Sequence, residues 1–280
     1  MTANAAAIEG RGAMRRLQAN GTTIAYARSG TGPPIVLMHG AEADHSMFAT
    51  LAAQLEKRLT VIAYDQRDSG DTCNPGQPYT LEDMGDDAAA LIEGLGFEKA
   101  HVYGTSLGSL IAQSLAVRHP ERVDRLVLAA AIRIGRTLAE IAPETAKRLF
   151  ELRVDRARNA EEIARIFYPE AHLAARPEAV ELFKLQRRTP EQLQRRAALL
   201  GPAPILDLSR ITAPTLVLAG REDRLVPCDH SLSIAEEIQL AQTSVLEGVG
   251  HVNAIQAPER VAQVIFQFWE WPNGKQLTQG

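Results

Sequence analysis

The stretch Ala100-His101-Val102-Tyr103-Gly104-Thr105-Ser106-Leu107-Gly108 decides how this chain is read. Its first four residues read as a short buried strand. From Ser109 to His119, apolar residues recur at Leu110, Ile111, Leu115 and Ala116 with helical spacing. Gly-x-Ser-x-Gly therefore lies where a strand turns sharply into a helix, which is the context the motif requires. A serine on so tight a turn sits in a strained backbone conformation. Its neighbours two positions away must be small for the chain to close, and Gly104 and Gly108 meet that need. The turn lifts the Ser106 hydroxyl above the sheet. It also leaves the Leu107 N–H, at a helix N-terminus, free to meet a developing negative charge.

Outward from this turn the chain alternates strands and helices. Ile35-Val36-Leu37-Met38, Thr60 to Tyr64, Leu126 to Ala129, Thr215 to Ala219 and Thr243 to Leu246 read as strands. The continuous apolar runs among them are the signature of strands buried on both faces. Helices are expected over Ser46 to Arg58, over Thr80 to Leu95 with a Thr80–Asp83 capping box, near Ser231 to Ile238, and over Pro258 to Trp269. Loose alternation from Gln18 to Arg28, with a turn at Gly30-Thr31-Gly32-Pro33-Pro34, suggests an early antiparallel hairpin. From Arg133 to about Ser209 no strand pattern appears; helical patterns rich in Arg and Glu follow one another between prolines. The expected fold is α/β, a doubly wound and mostly parallel sheet with a helical cap insertion. Its parts are a loose tail over 1–16, a core over 17–132 and 210–280, and the cap over 133–209.

Composition sets outer bounds. The 280 residues are 45% apolar and 23% charged, an ordinary balance for one large globular domain. A net charge of −4 and a pI near 6.0 argue against nucleic acid or an anionic membrane as the main partner. Cys73 and Cys228 lie far apart, without metal-ligand spacing, so neither a disulfide framework nor a metal site is expected. No secretory apolar region opens the chain, and no stretch approaches the ~18 apolar residues of a membrane span. A cytoplasmic protein is the reading that results. Ile8-Glu9-Gly10-Arg11 within the tail matches the recognition sequence of a processing protease.

Ligands of a doubly wound sheet bind at the carboxyl ends of its strands. His39-Gly40, Asp65, Ser106, Asp223 and His251 all follow predicted strands, which makes them one candidate site. A serine hydroxyl is a poor nucleophile until a base takes its proton, and the base must be held by a third group. After the serine turn an acid and then a histidine should follow, in that order. Arg221-Glu222-Asp223 supplies carboxylates at a strand end, and Val249-Gly250-His251 supplies the histidine after the last strand. Glu222 and Asp229 are the rival acids, and spacing favours Asp223.

These motifs resemble the α/β-hydrolase superfamily over Gln18 to Trp269, with strings most like the enol-lactonase and polyketide methylesterase branches. The resemblance implies Ser106 as nucleophile, Asp223 as acid and His251 as base. His39-Gly40-Ala41 matches the superfamily's His-Gly-x motif, implying an oxyanion hole from the Ala41 and Leu107 N–H groups. A donor of that kind contributes ~10²–10³ in turnover. The activity implied is hydrolysis of a carboxylic ester or lactone of a small to medium substrate, through an acyl-enzyme and without a cofactor. A proline iminopeptidase usually carries Trp where Leu107 stands, and carbon–carbon bond hydrolases usually carry Trp where Val252 stands. A cofactor-free perhydrolase and a slow-turnover ligand receptor share the same residues.

Several neighbours carry milder expectations. His39 and Glu42 are candidate substrate contacts, with capping of the following helix the favoured role for Glu42. Asp44-His45-Ser46 reads as a helix start. Asp65 and Arg67 resemble the superfamily's structural Asp-x-Arg-Gly loop, with Asp68 in place of its glycine. Arg187-Arg188 and Arg195-Arg196 read as a solvated helix face. Trp269 and Trp271 read as packing residues of the last helix.

Overall fold

The computed structural model describes residues 14–74, 76–186 and 188–270. Its centre is one sheet of eight strands: β1 (Arg15–Ala19), β2 (Thr22–Ser29), β3 (Pro34–Met38), β4 (Thr60–Tyr64), β5 (Ala100–Thr105), β6 (Val123–Ala129), β7 (Thr215–Gly220) and β8 (Ala241–Leu246). Across the sheet they run β1-β2-β4-β3-β5-β6-β7-β8. The β1–β2 and β2–β4 pairs are antiparallel, and every later pair is parallel.

Successive side chains of a strand point to opposite faces, so an unbroken apolar strand serves two cores. Val36, Met38, Ile62, Tyr64, Val102, Leu126 and Leu128 pack with α2 (Leu81–Gly94) and α3 (Leu107–Arg118). Ile35, Leu37, Val61, Ala63, Tyr103, Val127 and Leu216 pack on the other side with α1 (Ala49–Leu55) and the last helix, Pro258–Trp269. Thr80 caps α2 in the expected box with Asp83. Asp44 caps a 3₁₀ turn, His45–Phe48, that leads into α1, so the predicted Ser46-to-Arg58 helix is shorter and tighter at its start.

The N-terminus departs from expectation in two ways. Arg15 and Arg16 are paired in β1, opposite Tyr26 and Ala25, so the expected tail ends before them; residues 1–13, including Ile8 to Arg11, lie outside the described residues. The hairpin turn is Asn20-Gly21, with φ of 46° and 72°, and not the Gly30-to-Pro34 stretch. Positive φ at both central residues matches the twist of the flanking strands, and Asn-Gly adopts it most readily.

Between β6 and β7 every helix or strand among the described residues is helical. The run comprises α4 (Leu138–Ile141), α5 (Pro143–Leu152), α6 (Arg156–Phe167), α7 (Glu170–Ala175), α8 (Glu181–Lys184) and α9 (Pro190–Ala198). Leu149, Leu152, Ile163, Ala164, Tyr168 and Phe183 are buried in the same apolar cluster as α2 and α3. After β7 come α10 (Cys228–Ser233), α11 (Asn253–Gln256) and α12 (Pro258–Trp269). Trp269 packs as expected, stacked on His101 at 4.6 Å, while Trp271 lies outside the described residues. Among the described residues, no helix is long and apolar enough to cross a membrane.

Candidate active site

Ser106 joins β5 to α3 with φ 55° and ψ −121°, a conformation that costs a non-glycine residue about 1–3 kcal/mol. The surroundings enforce it. A Cβ on Gly104 would lie 2.2 Å from the Gly108 carbonyl oxygen, and one on Gly108 would lie 2.0 Å from that of Met38. The Ser106 N–H donates to Ala129 at 3.1 Å, and its carbonyl accepts from the Ser109 N–H and Oγ at 2.8 and 2.6 Å. Leu107 opens α3, so its N–H has no partner within the helix. Gly40, past the end of β3, lies so close that a Cβ there would be 3.6 Å from the Ser106 Cβ.

The other two predicted groups meet each other. His251 Nδ1 is 2.8 Å from Asp223 Oδ2, and both residues are buried, 4% and 8% exposed. The second Asp223 oxygen accepts from the Leu225 and Val226 N–H groups at 2.9 and 2.8 Å. A carboxylate pinned in this way fixes Nδ1 of His251 as the protonated nitrogen and leaves Nε2 as an acceptor. Asp223 makes this contact, while Glu222 is exposed and Asp229 lies in α10. The imidazole is also held from the insertion: its backbone N–H donates to the Phe167 carbonyl at 2.9 Å, and the Phe167 ring stands edge-on at 5.4 Å.

His39 and Glu42 differ from expectation. His39 is fully buried; Nδ1 donates to the Gly40 carbonyl at 2.8 Å and Nε2 accepts the Gln66 N–H at 3.3 Å. Burial first, and the nearby Arg196 charge, push its pKa down to about 3, so the ring is neutral. With both nitrogens engaged by backbone, it shapes the loop and offers no polar atom to a substrate. Glu42 does not cap a helix, since Asp44 does; it pairs with Arg153 at 2.5 Å and Arg156 at 2.6 Å. Burial alone would raise its pKa, but those guanidinium groups hold it below the ordinary carboxylate value.

Asp65 is structural as expected: its Oδ1 accepts from the His45 N–H and Nδ1, both at 2.8 Å, and Oδ2 from the Asp71 N–H at 2.8 Å. Asp44, His45 and Asp65 are the one group of possible metal ligands among the described residues. Their facing atoms are already spent on these bonds and on the Asp44–Ser46 cap. Arg67 forks onto Asp87 at 2.6 and 2.8 Å.

The arginines of the insertion contradict the solvated-face expectation. Arg195 forks onto the Asp68 carboxylate at 2.7 and 2.9 Å, and Arg196 is only 3% exposed. Arg188 also points inward, to the Asp68 and Ala43 carbonyls, while Arg187 lies outside the described residues. Two supports of the histidine loop went unread in the sequence. Asn253 Oδ1 accepts the Tyr103 hydroxyl at 2.7 Å, and Gln256 bonds both Gly250 N–H and Gly248 C=O. Amide side chains at the two ends of a short helix just past a histidine are the signal that marks them.

The chain and its fold have counterparts among known proteins. A family model described as the alpha/beta hydrolase fold matches residues 33–258. The chain is 30% identical to the 2-hydroxymuconate semialdehyde hydrolase of Pseudomonas sp. (strain CF600), over 91% of this chain and 93% of that one. It is 26% identical to 3-oxoadipate enol-lactonase 2 of Acinetobacter baylyi, over 87% and 91%. Among solved structures, a thermophilic esterase from Thermogutta terrifontis is similar with a TM-score of 0.77 and 27% identity, covering 91% of this chain and 98% of that one.

Proposed function

Because the chain belongs to the α/β-hydrolase fold family, we propose that it hydrolyses a carboxylic ester or lactone of small to medium size through an acyl-enzyme on Ser106. The observation that carries this reading is the strained backbone of Ser106, which sets a half-buried hydroxyl at the head of a helix whose first N–H has no acceptor within that helix. Strain of that kind persists only where surrounding structure enforces it, and it clusters at reacting sites.

In the proposed reaction His251 Nε2 takes the Ser106 proton as Oγ attacks the carbonyl carbon. The oxyanion so formed is met by the Ala41 and Leu107 N–H groups, and Asp223 holds the imidazolium that arises. His251 then returns the proton to the departing alkoxide, releasing the alcohol, or opening the ring of a lactone. Water deprotonated by the same nitrogen cleaves the acyl-enzyme, and the acid leaves with Ser106 restored. The helical insertion serves as a cap and, through residues such as Phe167 beside His251, helps form the substrate space.

The esterase and enol-lactonase likenesses support ester or lactone chemistry. The semialdehyde hydrolase likeness favours a second reading, carbon–carbon bond hydrolysis on the same Ser106. Val252 after His251, where such enzymes usually carry Trp, weighs against it. Fluorophosphonate labelling of Ser106, with turnover of p-nitrophenyl acetate and simple lactones abolished in Ser106→Ala, is the expected result. A wild-type protein that neither labels nor cleaves them would end the hydrolase reading, and preference for a ring-fission dienone would install the second.

A further inference from the structure

Three guanidinium groups from the insertion reach into the loops that follow β3 and β4. Arg196 donates to three uncharged oxygens: the Ala41 carbonyl at 3.1 Å, the Arg67 carbonyl at 2.7 Å and Gln66 Oε1 at 3.0 Å. Arg188 donates to the Ala43 carbonyl at 2.6 Å, the Asp68 carbonyl at 2.7 Å and Ser69 Oγ at 2.9 Å. Arg195 grips the Asp68 carboxylate. Burying a cation against neutral carbonyls is costly, and an apolar side chain of similar volume would fill the space without that cost. Burial, and the neighbouring Arg188, bring the Arg196 pKa down to about 10, so the charge remains near neutral pH.

The groups held by this cation explain its presence. Gly40 C=O and Ala41 N–H belong to one planar peptide. The His39 Nδ1 bond to Gly40 C=O therefore orients the Ala41 N–H itself. Arg196 fixes the next peptide along, through Ala41 C=O. The two peptide planes flanking the Ala41 Cα are thus set from two directions, one by a core histidine and one by the insertion. Asp68 marks the same coupling. It holds φ 58° without being glycine, and it is the residue that Arg195 grips.

We propose that Arg196 is a positioning residue for the oxyanion hole: by holding Ala41 C=O it aims the Ala41 N–H, with Arg188 as a second anchor at Ala43, so turnover depends on a docked insertion. This rests on the serine-hydrolase reading above. The arginine touches no reacting atom; it acts through Ala41. A small misaim of such a donor weakens the transition state more than the bound substrate.

The test compares Arg196→Met with wild type on p-nitrophenyl acetate and on inhibition by trifluoroacetophenone, whose adduct with Ser106 carries the oxyanion. The expected result is a kcat lower by ~10–100-fold with KM held within about twofold. Inhibition by trifluoroacetophenone should weaken by the same factor as kcat/KM. Arg196→Lys, which keeps the charge but not the three-way fork, should fall between the two. An unchanged kcat, or a loss confined to KM, overturns the proposal. Should Arg196→Met fail to fold, the partly exposed Arg188→Gln carries the test through Ala43. The same kcat-only loss, smaller in size, supports the proposal, and wild-type kcat overturns it. Failure of the wild type itself to label with a fluorophosphonate removes the hydrolase reading, and this one with it.

Discussion

The turn at Ser106 and the seam between the sheet loops and the insertion are held by opposite means. At the turn the constraint is steric and backbone-borne: no room for a methyl at Gly104 or Gly108, a hydrogen bond from the Ser106 N–H to Ala129, and one from the Ser109 N–H to the Ser106 carbonyl. At the seam it is charge: Glu42 with Arg153 and Arg156, Asp68 with Arg195, and Arg188 and Arg196 on carbonyls. Sterics of the first kind respond neither to pH nor to salt, whereas ion pairs near a surface respond to both. The chemistry proposed for this site thus rests on a fixed nucleophile and an adjustable surround.

The comparison can be broken from either side. Asp223→Asn should have the largest effect, lowering kcat by ~10⁴ because the amide no longer fixes the proton on Nδ1. Near wild-type esterase rates from that variant would detach the Asp223–His251 pair from the chemistry. Gly108→Ala should come next. Its methyl meets the Met38 carbonyl, which cannot give, so a loss of about 3 kcal/mol or more is expected in denaturant unfolding. An unchanged midpoint would show that the turn is not sterically set.

Asp68→Asn tests the seam and should cost ~1–3 kcal/mol by losing a charged hydrogen-bond acceptor. Asp68→Gly should recover ~1 kcal/mol of that through relief of the left-handed φ. If Asn and Gly unfold alike, backbone strain at Asp68 is not a factor.

The smallest effect expected is that of acid. Burial pushes the Glu42 and Asp68 carboxyls up, but their arginines outweigh it and hold both below their ordinary values of 4.5 and 3.8. Groups with depressed folded values stabilise above their unfolded values and lose that contribution as pH falls through the folded ones. Proteolytic cleavage within 133–209 should therefore rise below about pH 4. Cleavage that instead rises towards alkaline pH would place the pH-sensitive contacts of the seam elsewhere.

The parts of the molecule that follow from local pattern were legible, and the parts that follow from docking were not. Thr60–Tyr64 and Pro258–Trp269 begin and end where their apolar periods do. Ser106 and His251 declare themselves by what precedes them, a strand and then a turn, and Asp223 by order along the chain. Asn20-Gly21 carries its own turn signal, yet the denser run of turn residues at Gly30 to Pro34 draws the reading away from it. Arg195 and Arg196 sit on the polar side of a helical pattern. That pattern says only that the side is not core; it does not distinguish water from a wall of loop carbonyls. Glu42 is the same case seen from the sheet, its partners more than a hundred residues on and invisible until α5 and α6 are placed. Asp68 was visible as a departure from the superfamily loop, but its partner Arg195 lies across the seam.

The hydrogen bond from the His251 N–H to the Phe167 carbonyl bears on modularity. It makes the insertion part of the frame of the proposed base, so the insertion is not a cassette that can be exchanged freely. A foreign helical segment grafted between β6 and β7 must present a carbonyl where Phe167 does and cations where Arg188 and Arg196 do. Directed evolution of new specificity in this scaffold is accordingly better served by randomising side chains within the resident insertion than by swapping it whole.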